Sequence, residues 1–204
     1  MARTVADVGE VRLIQRIRRL VRRTASVEVG IGDDAAVLRP PARGRLLFAS
    51  DMVVEGVHFR RDQLAPEWIG WKALAVNVSD IAAMGGRPLW AVVSLGLPRN
   101  TPVAFVTGLY RGLERCARRC GVAIVGGDTV RAPAVVIDVA IIGTAVPQHV
   151  VLRRGARPGD VLFVTGRLGG SYRSGRHARF LPRVREATAL LWRVRLHAMM
   201  DLSD

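Results

Sequence analysis

The chain has 204 residues, 50% hydrophobic and 24% charged, with a formal net charge of +14. That length suffices for one full domain and part of another, and no run reaches the roughly 18 uncharged apolar residues of a membrane span. The start, MARTVADVGEV, lacks the apolar segment of a secretory signal, so a cytoplasmic enzyme or binding protein is expected. The arginines are spread along the whole chain without a dense block or interleaved aromatics, and Lys72 is the only lysine. Such a uniform preference for Arg over Lys reads as codon usage, though phosphate-rich ligands would also suit it, and does not predict a nucleic-acid partner. Cys116 and Cys120 lie four apart with no CxxC and no histidine pair, and read as free thiols of a reducing compartment.

In chain order, residues 8–23 are predicted to form an amphipathic helix whose basic outer face is simply solvated. VEVGIGDDAAVL follows at 27–38. Its glycines at 30 and 32 allow a ligand to approach closely. Asp33 and Asp34 come next; adjacent acids are often solvated turn formers. Their apolar flanks argue for partial enclosure, where two carboxylates raise each other's pKa unless a cation neutralises them. Hard oxygen ligands of this kind suit Mg²⁺.

RLLFASD at 45–51 reads as a strand ending in Ser50 and Asp51, followed by the loop MVVEGVHFRRD. A strand terminus fixes a carboxylate while the loop leaves access to it. His58 in that loop is either a substrate contact or an exposed histidine, and Asp62 and Glu67 read as surface acids. WKALAVNVSDIAAMGG at 71–86 reads as a buried helix, because Ala73, Leu74, Val76, Val78, Ile81 and Ala82 cover most of its circumference. Asn77 and Asp80 share one face of it. A carboxylate buried there needs a cation or several donors, although one Asp can also cap a neighbouring loop.

A buried strand is predicted at 89–97, a helix at 102–120 and a short strand at 122–125 that runs into Gly126-Gly127-Asp128-Thr129. Gly-Gly before an acid turns backbone N–H groups toward a phosphate while the carboxylate holds a metal, yet the same letters also make an ordinary turn. A further strand is predicted at 134–145. The order helix, strand, strand, helix, strand, helix, strand, strand is an α+β pattern, a mixed sheet with helices on one face. The other apolar face then predicts self-association. Neither a Walker A sequence nor GxGxxG is present.

Three segments result: a first domain at 1–146, a basic linker at 147–158, and an incomplete α/β second domain at 159–204. Within the last, a strand is expected at 159–165, the glycine-rich loop GRLGGS after it, a helix at 186–195 and a strand-like AMMDLSD at the end.

GIGDDAAVL, SDMVVEGVHF, KALAVNVSDIAAMGG and VGGDTVR, in this order and spacing, resemble the amino-terminal half of the thiamine-monophosphate kinases. Those enzymes belong to the superfamily of aminoimidazole-ribonucleotide synthetase and selenophosphate synthetase. The resemblance covers essentially the whole chain, and AMMDLSD is similar to the acidic motif of the family's second domain. It implies an aminoimidazole-ribonucleotide synthetase-like amino-terminal domain in a homodimer. The implied reaction is Mg²⁺-dependent transfer of the ATP γ-phosphoryl directly onto thiamine monophosphate, with no covalent nucleophile.

By position, the resemblance implies metal ligands at Asp34, Ser50, Asp51, Asp80 and Asp128, joined by Asp201 and Asp204 from the second domain. Nucleotide contacts are implied at Gly127, Asp128, Arg153, Ser203 and Tyr110, and an acceptor contact at His58. Three departures qualify it: Ala49 stands where the family often has a hydroxyl, the stretch between GRLGGS and FLPR is short, and the chain stops at Asp204. They keep two alternatives in view, a catalytically impaired nucleotide- and Mg²⁺-binding remnant and a sibling ATP-dependent synthetase. Selenophosphate synthesis is disfavoured, because no reactive Cys sits in an amino-terminal loop.

Overall fold

The computed structural model describes residues 3–31 and 36–202. A capping box opens α1 (Val5–Val8): Thr4 Oγ1 accepts from the Asp7 N–H, and the Asp7 carboxylate accepts from the Thr4 N–H. Gly9, at φ 71, ends that turn, so the predicted first helix is two pieces, the second being α2 (Glu10–Leu20). A short hairpin of β1 (Val27–Val29) and β2 (Val37–Leu38) follows. The main body alternates β3 (Arg45–Val54), α3 (Pro66–Ala83), β4 (Arg87–Leu97), α4 (Val103–Cys120), β5 (Ala123–Arg131) and β6 (Val136–Ala145). Beyond a short 3-10 turn at Pro147–His149 lie α5 (Arg176–Arg179) and α6 (Val184–Leu191).

The sheet runs β3-β6-β4-β5, antiparallel except for the β4–β5 pair, whose parallel connection α4 supplies. Period-two burial gives it two unlike faces. Ile137, Val139 and Ile141 of β6 and Val93 and Leu95 of β4 are buried in the core that α3 and α4 share. On the other face Leu46 and Phe48 of β3 are 63% and 75% exposed, with Met52, Val92 and Val130 also open to solvent. Among the described residues only one end of that face is covered, where Val27, Ala36 and Leu38 pack on Trp90 and Val125.

Helix α3 is buried from Ile69 to Val78 because it lies between the sheet, α4 and the later segment. The two helices touch through glycines: a Cβ at Gly112 would stand 1.8 Å from the Glu67 carbonyl oxygen, and one at Gly70 2.0 Å from that of Leu109. Strand β5 runs past its predicted end, so Gly-Gly-Asp lies inside the strand and not in a turn. Gly127 makes this possible, since a Cβ there would meet the Val93 carbonyl oxygen at 1.9 Å.

Residues 147–202 pack back on α3. The Trp71 indole N–H donates to the Phe180 carbonyl at 2.7 Å, and the guanidinium groups of Arg115 and Arg179 stack over the Trp68 ring. Two expected strands do not form. Val161 and Leu162, 86% and 95% exposed, have no ladder partner among the described residues, and residues 198–202 are likewise irregular. A strand needs a neighbour to bond, which an apolar run alone cannot provide. No helix of the described residues is long and apolar enough to cross a membrane.

Candidate metal and nucleotide site

The site is organised by one buried amide. Asn77 is fully enclosed on α3, its Nδ2–H donates to the Ala73 carbonyl at 2.9 Å, and its Oδ1 accepts from the Asp51 N–H at 2.9 Å. Asp51, at the sheet's first edge, is thereby pinned to the helix that carries Asp80 one turn further on.

Asp80 is half-buried and its carboxyl is pushed up to about 6. Burial is the main cause, followed by the nearby charges of Asp201 and Asp51, while the Arg153 guanidinium pulls the other way. Four groups named from the sequence therefore converge from β3, α3, the linker and the terminal segment. Three contacts bring the last two in. The Val151 N–H donates to the Met84 carbonyl at 3.3 Å, the Met199 N–H to the Leu152 carbonyl at 3.1 Å, and His197 Nδ1 meets an Asp160 oxygen at 2.8 Å. This run brings Asp201 near Asp80, and among the described residues Asp201 Oδ2 is buried with no hydrogen-bond partner.

Carboxylates alone, one of them with an orphaned oxygen, are the donor chemistry of a hard cation such as Mg²⁺. Among the described residues, no group of three or more acidic, histidine or cysteine side chains is placed to hold a metal ion. Asp33, Asp34, Ser203 and Asp204 lie outside the described residues.

Ser50 and Asp128 are placed elsewhere. Ser50 precedes Asp51 on the strand and so points to the open face, where its Oγ–H donates to Asp138 Oδ1 at 2.9 Å. Register sets Asp128, Ser94 and Asp138 side by side on that same face. Asp128 accepts from the Thr129 N–H at 2.7 Å and belongs to β5, the opposite edge of the sheet. Three strand spacings of about 4.8 Å separate it from β3. Within one chain, then, the structure makes two acidic groups: Asp51, Asp80 and Asp201 toward the helices, and Asp128 and Asp138 with Ser50 on the open face. Tyr110 is buried in the core on α4, where burial pushes its hydroxyl pKa up.

His58 is held by its own loop. Its Nδ1 accepts from the Val54 N–H at 3.1 Å, which leaves the ring proton on Nε2. Glu55 anchors the same loop, accepting from the Val135 N–H at 3.1 Å and pairing with Arg61. The sequence reading assigned no part to Asp138, although a lone acid amid the apolar letters AVVIDVAIIG was its signal. Nor could it assign the clamp made by Asn77, whose partner lies 26 residues away.

A family model described as "AIR synthase related protein, N-terminal domain" matches residues 32–145. The chain is 42% identical over 197 residues to a thiamine-monophosphate kinase of Rhodopirellula baltica, covering 92% of this chain and 61% of that protein. The chain thus spans less than two thirds of that relative's length. A crystal structure of thiamine-monophosphate kinase from Stenotrophomonas maltophilia superposes with a TM-score of 0.73 at 32% identity, covering 91% of this chain and 65% of that one. A structure described as AaThiL complexed with AMPPCP and TMP gives a TM-score of 0.68 at 32% identity, covering 94% and 65%. In sequence and in fold, this chain belongs to the family of AIR synthase related proteins.

Proposed function

We propose that this chain forms the nucleotide- and metal-binding half of an ATP-dependent kinase that converts thiamine monophosphate to thiamine diphosphate. The observation that carries the reading is the convergence of Asp51, Asp80 and Asp201 beside Arg153, with Asp80 pushed up to about 6. A cluster of that kind is costly without a cation to meet it. The names of the relatives and the AMPPCP and TMP of one related structure supply the substrate class.

In the proposed reaction an acceptor phosphate oxygen bonds to the γ-phosphorus as the bond to the β–γ bridging oxygen breaks. That electron pair leaves on ADP. The attacking oxygen is already largely ionised near pH 7, so no general base is required. Bound Mg²⁺ would neutralise charge on the transferring group. Asp51, Asp80 and Asp201 would each supply a ligand to the metals only together with groups beyond these three, Arg153 would face the phosphates, and His58 Nε2–H would donate to the acceptor.

A homodimer is part of the proposal. One copy leaves the apolar face with Phe48, Leu46 and Met52 open, and it separates Asp128 from Asp51 by the width of the sheet. Two such sheets closing face to face would set the β5 edge of one copy near the β3 edge of the other. Asp128 would then lie across the seam from the β3 edge that carries Asp51.

An ADP-release assay with thiamine monophosphate tests the kinase reading, on this chain and on one extended to the relatives' length. The expected result is ADP formation that needs both acceptor and Mg²⁺ in the extended chain. Nucleotide binding without acceptor-dependent ADP would instead identify a non-catalytic member of the family.

A further inference from the structure

Two stretches without regular structure carry Arg153 and Asp201 to Asp80. Residues 150–160 and 195–202 form neither helix nor strand. No ladder or helix period therefore aims the two side chains, and contacts between the stretches must do so.

The stretches run past each other in opposite directions. The Met199 N–H donates to the Leu152 carbonyl at 3.1 Å. Gly155 lies against His197, where a Cβ would stand 2.3 Å from the His197 carbonyl oxygen, and its φ of 127 is one that side chains disfavour. A side-chain pair closes the far end. The Asp160 carboxylate accepts from His197 Nδ1–H at 2.8 and 2.9 Å and from the Arg157 N–H at 2.8 Å. The Arg157 N–H first, and then His197, hold the Asp160 carboxyl below the usual carboxylate range, so the shared proton stays on the imidazole.

The linker is the fixed side of this clasp. Val151 is buried, and its N–H donates to the Met84 carbonyl just past α3. The His149 ring packs edge-on against Trp192, with 4.5 Å between ring centres. Position thus passes from α3 to the linker, and from the linker across the pair to Asp201.

We propose that Asp160 and His197 are positioning residues for the metal-bound nucleotide phosphates. Their pair latches the Asp201 stretch to the Arg153 stretch, so that a carboxylate for the cation and a guanidinium for the phosphates are presented together. This rests on the nucleotide- and metal-binding part of the reading above and not on the identity of the acceptor.

Calorimetric titration of this chain with ATP–Mg²⁺ tests it through double-mutant cycles. His197→Ala and Asp160→Ala should each weaken binding about fivefold, the scale of a partly exposed pair, and the two together no further. His197→Asn keeps a donor near the place of Nδ1 and should stay within about twofold of the parent. Gly155→Ala alters neither side chain, yet it parts the same two stretches and should match His197→Ala. In an Asp201→Asn background, adding His197→Ala should cost nothing more. Hydrogen exchange at the Met199 amide, read in chelator, should speed up in His197→Ala and Asp160→Ala while Tm stays at the parent's value.

Parent affinity in both alanine variants overturns the proposal. So does a further loss on adding His197→Ala to Asp201→Asn, which would place the action of the pair elsewhere, and so does a parent without affinity for ATP–Mg²⁺. If Asp201→Asn leaves no measurable binding, Met199 exchange and Gly155→Ala decide; unchanged exchange, or parent affinity in Gly155→Ala, overturns the proposal. An extended chain that binds ATP–Mg²⁺ but forms no ADP with thiamine monophosphate would sink the kinase reading alone, because each of these titrations reads nucleotide affinity.

Discussion

An acid flanked by two more acids costs a folded chain something until a positive charge meets it. The Asp80 carboxyl moves from 3.8 to about 6, through burial first and then through Asp201 and Asp51. Between those values the native chain keeps a proton that the unfolded chain has released. Stability therefore falls as pH rises from about 4 to 6 and stays low above that. Asp80 is only half-buried, and solvent screening trims the cost to about 1–2 kcal/mol. Asp80→Asn is expected to raise Tm in chelator at neutral pH, to remove that slope and to abolish stabilisation by ATP–Mg²⁺. A variant that melts like the parent in chelator and still gains from ATP–Mg²⁺ would leave Asp80 outside the site. Asn77→Ala should act in the opposite sense. It strips the partner from the Asp51 N–H and should cost about 2 kcal/mol in urea titrations, with weaker Mg²⁺ binding as Asp51 drifts. Unchanged stability would show that water replaces the amide. Asp51 and Asp80 were legible because each interrupts an apolar stretch. The bond that joins their elements was not, since it depends on tertiary pairing.

Helices and strands of ten or more residues announce themselves by period, and α3, α4, β4 and β6 fall within a few residues of their predicted spans. What no period discloses is how closely two elements approach. Gly70 and Gly112 let α3 and α4 meet backbone to backbone, with hypothetical Cβ contacts of 2.0 and 1.8 Å. Gly112→Ala must part the helices, and overpacking of this sort costs about 2–3 kcal/mol. Urea unfolding measures it, and a midpoint equal to the parent's would mean the helices slide apart freely. Because α3 carries Asn77, Asp80 and Lys72, the same variant should weaken ATP–Mg²⁺ binding as well. The strand expected at 159–165 failed for the converse reason. Its letters VLFV promise a strand buried on both sides, but a strand is a property of a pair, and among the described residues Val161 and Leu162 have no ladder partner. Ser50 and Asp51 show a limit of a different kind. Strand alternation already required adjacent residues to face opposite ways, so the two-sided site could have been read from RLLFASD itself.

At the scale of the molecule, most of one sheet face lacks a covering layer among the described residues. Phe48 at 75% exposure and Leu46 at 63% lie on a face that includes Ser50, Asp128 and Asp138, too apolar for a solvated surface and too acidic for a dry one. Closing two four-stranded sheets on each other would bury the apolar residues and cover both edges, an arrangement that eight strands can fill with side chains. The chain is therefore expected to sediment as a dimer at micromolar concentration, and Phe48→Asp to leave a folded monomer. A parent that runs as a monomer would end the idea. The shared site makes a sharper forecast. If a metal is held by Asp51 of one copy and Asp128 of the other, neither Asp51→Asn nor Asp128→Asn binds ATP–Mg²⁺ alone. In a mixed dimer, however, one of the two sites collects both substitutions and the other collects none. Random mixing makes half the dimers mixed, so refolding the two variants together should restore about a quarter of the parent's binding sites. If each copy builds its site from its own Asp51 and Asp128, every site in every dimer carries one substitution, and nothing is recovered on mixing.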